Sequence, residues 1–147
     1  MTSATPAGRP EPFWAAPLCH PLPLGAALVM AVNDHWLKGG RLLPSVVTGK
    51  LSDFAGLFFF PLLVASALAG ICALARCRWP RGAGAIIAVI TGLAFALANL
   101  VPGFNSWLGS WFGQKQLDPT DLVALPSLLL SWFWLRRARR PLEEAMP

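Results

Sequence analysis

The sequence predicts an all-α fold: a polytopic membrane protein built as a bundle of four transmembrane helices. Three observations predict it. Apolar residues make up 55% of the 147-residue chain and charged residues only 13%, which is not the balance of an ordinary soluble domain. Four apolar runs follow one another, each near the roughly 20 residues a helix needs to cross a bilayer core. Trp and Arg sit at the ends of those runs, where headgroups meet water.

Residues 1–17 are rich in Pro, Ala, Thr and Ser and hold little that could build a core, so they read as a flexible tail. They do not read as a cleaved signal peptide, because the first apolar run leads into Asn33-Asp34-His35 rather than a small-residue cleavage site. Residues 18–135 form the transmembrane domain. Span one runs from about Leu18 to Leu37, with Pro21 and Pro23 in its first turns, where proline is tolerated best. Span two runs from about Asp53 to Ala75. Pro61 lies inside it and cannot donate to the carbonyl of Leu57, so a kink is expected. Span three covers about Ala83 to Val101 and span four about Leu117 to Leu135, bent at Pro126. Residues 136–147 are a tail, first basic and then acidic. Between spans two and three, Arg76-Cys77-Arg78-Trp79-Pro80-Arg81 is a tight basic turn that makes an antiparallel hairpin.

Orientation follows from the basic residues. Arg9, the three arginines of the tight turn and Arg136, Arg137, Arg139 and Arg140 share one membrane face, while Lys38, Arg41, Lys50 and Lys115 share the other. Eight against four places both termini in the cytoplasm. The net charge of +5 is thereby a topological signal, and no basic loop interleaved with aromatics points to nucleic acid. Cys19, Cys72 and Cys77 match no metal or redox spacing and read as reduced thiols.

Gly84, Ala88, Gly92 and Ala96 recur every four residues in span three. They make a stripe of small side chains that lets a neighbouring helix approach closely, within the bundle or as a partner helix. Asn99 continues the stripe and is aimed inward. After span three, Trp107, Leu108, Trp111 and Phe112 fall on one side of a short amphipathic helix suited to the membrane interface.

All four aspartates, Asp34, Asp53, Asp118 and Asp121, fall at span ends on one face. Charge beside a bilayer is confined to where it is hydrated, paired or used. Local roles come first. Asp34 and Lys38 are spaced i,i+4 with the acid leading, a favourable helical pair. Lys50 and Asp53 are spaced to pair, Ser52 can cap span two, and Asp53 suits its positive end. Asp118-Pro119-Thr120-Asp121 reads as a helix start, with Asp118 as cap and Pro119 at the first position. Beyond those roles, Asn33, Asp34, His35, Lys38, Lys50, Ser52, Asp53, Asn99, Asp118 and Asp121 are the candidate binding residues of an extracytoplasmic pocket. Lys38 and Lys50 would meet an anionic lipid headgroup or wall precursor. No nucleophile motif, phosphate loop or metal-ligand spacing identifies a catalytic residue, a metal or a cofactor. A small proton-coupled transporter, with Asp34 titrating, and a structural assembly subunit are the alternatives.

Two stretches carry a family resemblance. Lys50-Leu51-Ser52-Asp53-Phe54-Ala55-Gly56-Leu57 opens a helix, and Val101-Pro102-Gly103 is followed by Asp118-Pro119-Thr120-Asp121-Leu122 leading into the last one. In order and context, across residues 48–135, these resemble the VanZ-like family of small bacterial membrane proteins. The chain departs from that pattern: Asp53 stands where the family has His, Gly49 where it has Asp, and Phe104 where it has Arg. Asn99 is the one polar residue where a Glu-x-x-x-Gln element is expected. The resemblance implies a bacterial inner membrane protein with a link to the cell envelope or glycopeptide response, and it adds nothing about catalysis.

Overall fold

The computed structural model describes residues 17–37, 44–77, 79–80, 82–112 and 117–144; the side chains of Asp34, Leu37, Ser45, Phe112 and residues 139–144 lie outside that description. Among the described residues all regular structure is helical. The α-helices are α1 (Pro21–Val32), α2 (Ser45–Leu74), α3 (Ala83–Leu100), α4 (Pro102–Phe112) and α5 (Ser127–Glu144). A π-helical turn, Asn33–Leu37, extends α1, and a 3-10 turn, Pro119–Ala124, precedes α5.

Two of these helices, α2 and α3, are long and apolar enough to cross a membrane. Only 33% and 28% of their most apolar stretches are buried within the chain. Many of their large apolar side chains face outward instead: Ile86, Val89, Ile90 and Leu93 on α3 are each 57–61% exposed. The expected four equal spans resolve differently. The α-helical part of the first is 12 residues, about 18 Å of rise, before the π turn takes over. The last splits at Pro126, which has no N–H to continue a helix. Before it the chain makes the 3-10 turn, and after it α5 runs from Ser127 to Glu144, so residues 136–144 are helical.

Span two starts earlier than Asp53. Pro44 is the N-cap and the helix runs for 30 residues, so Lys50, Ser52 and Asp53 sit on helical turns and Ser52 does not cap. A helix of that length rises about 45 Å, well beyond a hydrocarbon core of about 30 Å. Counting back roughly 20 residues from Leu74 reaches Ala55. On that count Ser52 and Asp53 fall within one turn of the end of the roughly 20-residue stretch and Lys50 about one and a half turns beyond it.

The hairpin between α2 and α3 closes with a Schellman-type stop. The Cys77 N–H donates to the Cys72 carbonyl at 2.9 Å and the Arg76 N–H to the Ala73 carbonyl at 3.2 Å. Arg76 takes the left-handed conformation this requires (φ 53°), although it carries a Cβ. Gly82 (φ 85°) then starts α3. The small stripe of α3 is used within the chain. A Cβ added at Gly84 would come 3.2 Å from Cβ of Leu135, and one at Gly92 would come 2.8 Å from Cδ1 of Leu128, both on α5. The core lies where α2, α3 and α5 meet, around Leu62, Ala65, Ile87 and Leu135.

The entry to α1 is tied to α5. His20 caps α1, its Nδ1 accepting from the Leu22 N–H at 3.2 Å. Its ring packs edge-on against Trp134 at 4.4 Å between centroids. The Trp134 indole N–H donates to the Pro17 carbonyl at 3.1 Å.

Candidate functional site

The described residues among the ten selected from the sequence do not line one pocket. Two of the ten cannot be placed fully: Lys38 and the side chain of Asp34 lie outside the described residues. His35 is exposed on the π turn. The other seven divide among a crossing, an ion-paired cluster and a cleft.

Asn33 is fully buried where the π turn crosses α2. Its Nδ2 donates to the Thr48 carbonyl at 2.7 Å. This bond fixes the first segment against the start of α2.

Lys50 joins α2 to the 3-10 turn. Its ammonium donates to the Thr120 hydroxyl at 2.7 Å and lies 3.5 Å from Oδ1 of Asp121. Asp118 caps the turn, as the spacing predicts. It accepts from the Thr120 N–H at 2.9 Å and from the Thr120 hydroxyl at 2.7 Å. Thr120 is thus a relay, with its hydroxyl donating to Asp118 and accepting from Lys50. The sequence reading left Thr120 out, and its place directly before Asp121 on a capping turn was the signal. Lys50, expected to meet an anionic ligand, is engaged by the chain itself.

Ser52, Asp53 and Asn99 line a lateral cleft of about 520 Å³ between α2 and α3. Met30 of α1 and Phe104 and Leu108 of α4 complete its walls. The cleft has two distinct ends. Ser52, Asp53 and Asn99 are at one, because the antiparallel hairpin sets the start of α2 beside the end of α3. Six to ten residues beyond Asp53 on α2, about 9–15 Å, the lining becomes Phe59, Phe60 and Leu63, with Thr91, Ala94 and Phe95 contributed by α3. A mostly apolar cavity with a few convergent polar groups is the usual form of a small-molecule site.

Asn99 is 1% exposed. Its Nδ2 donates to the Phe95 carbonyl at 2.9 Å, one helical turn back. Its Oδ1 is buried without a hydrogen-bond partner. Exchanging the amide oxygen and nitrogen would set two acceptors against each other, so the hydrogen bond to Phe95 fixes the assignment. Oδ1 of Asn33 and Oγ of Ser66 are likewise buried without a partner, and a buried acceptor without a donor costs about 1–3 kcal/mol.

The fourth wall is held by a second side chain absent from the sequence reading. Pro102 has no N–H for the carbonyl of Ala98, four residues back. Nδ2 of Asn105 donates to that carbonyl at 2.7 Å. This bond sets α4 so that Phe104 and Leu108 face the cleft. Trp107 and Trp111 turn outward, 58% and 74% exposed. The expected grouping of Leu108 with the two tryptophans gives way, because the i,i+4 pair Phe104 and Leu108 is the one that finds a surface to cover.

No family model, curated protein or solved structure matches the chain.

Proposed function

We propose that this chain is an integral membrane protein that crosses the bilayer four times and holds a membrane amphiphile in the cleft between α2 and α3. The observation that carries the reading is the cleft's lining: Ser52, Asp53 and Asn99 at one end and, apart from Thr91, apolar residues led by phenylalanines along the rest. The polar end lies within about a turn of the outer end of that roughly 20-residue stretch of α2 and of the end of α3, which sets it near headgroup depth, and the apolar part runs down toward the bilayer centre. An amphiphile entering sideways keeps its chain in hydrocarbon throughout and moves only its head.

Four crossings are supported by the outer surfaces of α1 and of the apolar first half of α5. Leu22, Leu24 and Leu28 of α1 are 57–64% exposed, and Leu129, Leu130 and Phe133 of α5 are 64–67% exposed. Scattered exposed apolar residues are ordinary, but a continuous belt of them on every long element calls for lipid. With the arginine-rich ends of α2 and α5 inside, the cleft's polar end faces outward from the cytoplasm. That placement agrees with the envelope role that the resemblance to the VanZ-like family implies.

The test is a variant that fills the cleft. A Cβ at Gly56 would meet nothing closer than Sδ of Met30 at 3.7 Å, so Gly56→Phe places its ring in the cavity without a backbone clash. Wild type purified in a nonionic detergent is expected to carry an amphiphile that native mass spectrometry detects. Gly56→Phe is expected to lose it while keeping its melting temperature. Equal retention by both proteins would remove the reading.

A further inference from the structure

We infer that Cys72 and Cys77 form a reversible dithiol–disulfide site, built by the stop of α2 and oxidised by a low-molecular-weight disulfide. The site lies at the other end of α2 from the cleft and does not rest on the amphiphile reading.

In a continuing helix, residues five apart fall on different faces, so this spacing is no redox motif by itself. The Schellman stop changes that. Its geometry brings the third residue from the helix end against the second residue past the left-handed position, a contact that apolar side chains usually make. Here those two residues are Cys72 and Cys77, and Arg76 holds the left-handed position between them. The Cys77 N–H reaches the Cys72 carbonyl at 2.9 Å. With planar peptides and standard bond lengths, that bond holds the two Cα atoms within about 6.8 Å. A disulfide bridges Cα atoms about 4.4–6.8 Å apart. The two thiols lie within hydrogen-bonding reach across the turn, and both are free.

Access sets the order of reaction. Cys77 is exposed and Cys72 half-buried. The Cys77 thiolate attacks one sulfur of the small disulfide, whose S–S bond breaks and releases a first thiolate. Cys72 then gives up its proton, and its sulfur attacks Sγ of Cys77 and releases the second. The two departing thiolates take up the two protons. Two electrons pass from the protein thiols to the small disulfide, which becomes two thiols. The new bond closes a ring over Ala73–Arg76 and fixes the left-handed turn. On the orientation proposed above the site faces the cytoplasm, where disulfides that form are usually transient or redox-sensing.

Oxidised glutathione tests the site on the full chain in nonionic micelles, with alkylation at timed intervals, intact mass and peptide mapping. Wild type is expected to become two hydrogens lighter, linked Cys72 to Cys77, with a glutathione adduct only in passing and full reversal by dithiothreitol. Cys72→Ser is expected to accumulate the adduct on Cys77. Cys19→Ser and Gly56→Phe are expected to close as wild type does. Arg76→Gly keeps the left-handed turn and should close at least as fast. Arg76→Val, whose branched side chain resists positive φ, should slow ring closure at least about fivefold while the first attack at Cys77 keeps its rate.

A lasting glutathione adduct on wild-type Cys77 would overturn the inference, as would a link through Cys19 or between chains. Wild-type closure in Arg76→Val would show that chain flexibility, not the helix stop, brings the thiols together, and would overturn it as stated.

Discussion

The hydroxyl of Ser131 lies 3.0 Å from the carbonyl oxygen of Leu57, the acceptor that Pro61 deprives of its helical donor. Ser131 is fully buried on α5 and also lies 2.8 Å from the Phe58 carbonyl and 3.2 Å from that of its own neighbour Ser127. One hydroxyl proton is shared among these acceptors. In a bilayer no water reaches a freed carbonyl, so a neighbouring helix must supply the donor. The result is a polar tie between α2 and α5 beside the apolar core.

This pairing predicts a coupling. Ser131→Ala is expected to cost about 1 kcal/mol, read as a fall of a few degrees in the melting temperature. Pro61→Ala restores the Leu57 partner from within α2. In that background the cost of Ser131→Ala is expected to shrink by about half or more, which a double-mutant cycle measures. Strict additivity would show that the serine serves another purpose.

Asn105 does the same work at the other proline. Asn105→Ala leaves the Ala98 carbonyl without the donor that Pro102 cannot provide. The expected loss is about 1 kcal/mol, and it should appear locally. Hydrogen exchange should quicken across α4 while α2 and α3 keep their protection. Uniform quickening of all three would place the effect on the whole fold instead.

Lys50 joins α2 to the turn that leads into α5. Asp121 is 7% exposed, so Lys50→Met leaves a nearly buried carboxylate without its ammonium. The Lys50 side chain is 27% exposed, which screens the pair and holds the expected cost near about 1 kcal/mol. Lys50→Arg should recover most of it. If both variants melt with wild type, the pair is not structural and Lys50 is available to a ligand.

Arg76 is the one described residue other than glycine with positive φ. For a side chain with a Cβ that conformation costs about 1–2 kcal/mol, part of which glycine's greater chain entropy takes back. Arg76→Gly is therefore expected to raise stability by about 0.5–1 kcal/mol, visible as a higher melting temperature. A lower one would mean that the guanidinium makes a compensating contact.

The apolar runs made the helices legible, including the short helix after Pro102. Their ends were less so. Thr48-Gly49-Lys50 reads as a loop by composition, yet Asn33 and Thr120 receive it as helix through the Thr48 carbonyl and the Lys50 ammonium. Asp118 was legible as a cap because capping is decided within four residues. The cleft was not, because it depends on which helices lie side by side. Ser131 and Asn105 were hidden for a related reason. The prolines announced that Leu57 and Ala98 would need donors, but a donor 74 residues away is chosen by packing.

Photo-crosslinking tests the central claim most directly. A photoreactive residue replaces Phe60, which lines the cleft, or Ile90, which is 61% exposed and is not among the lining residues. Irradiation in native membranes and mass analysis of the adducts then compare the two sites. The account predicts a restricted set of amphiphiles at Phe60, lost in Gly56→Phe, and the average membrane composition at Ile90. The same mixture at both positions would contradict it.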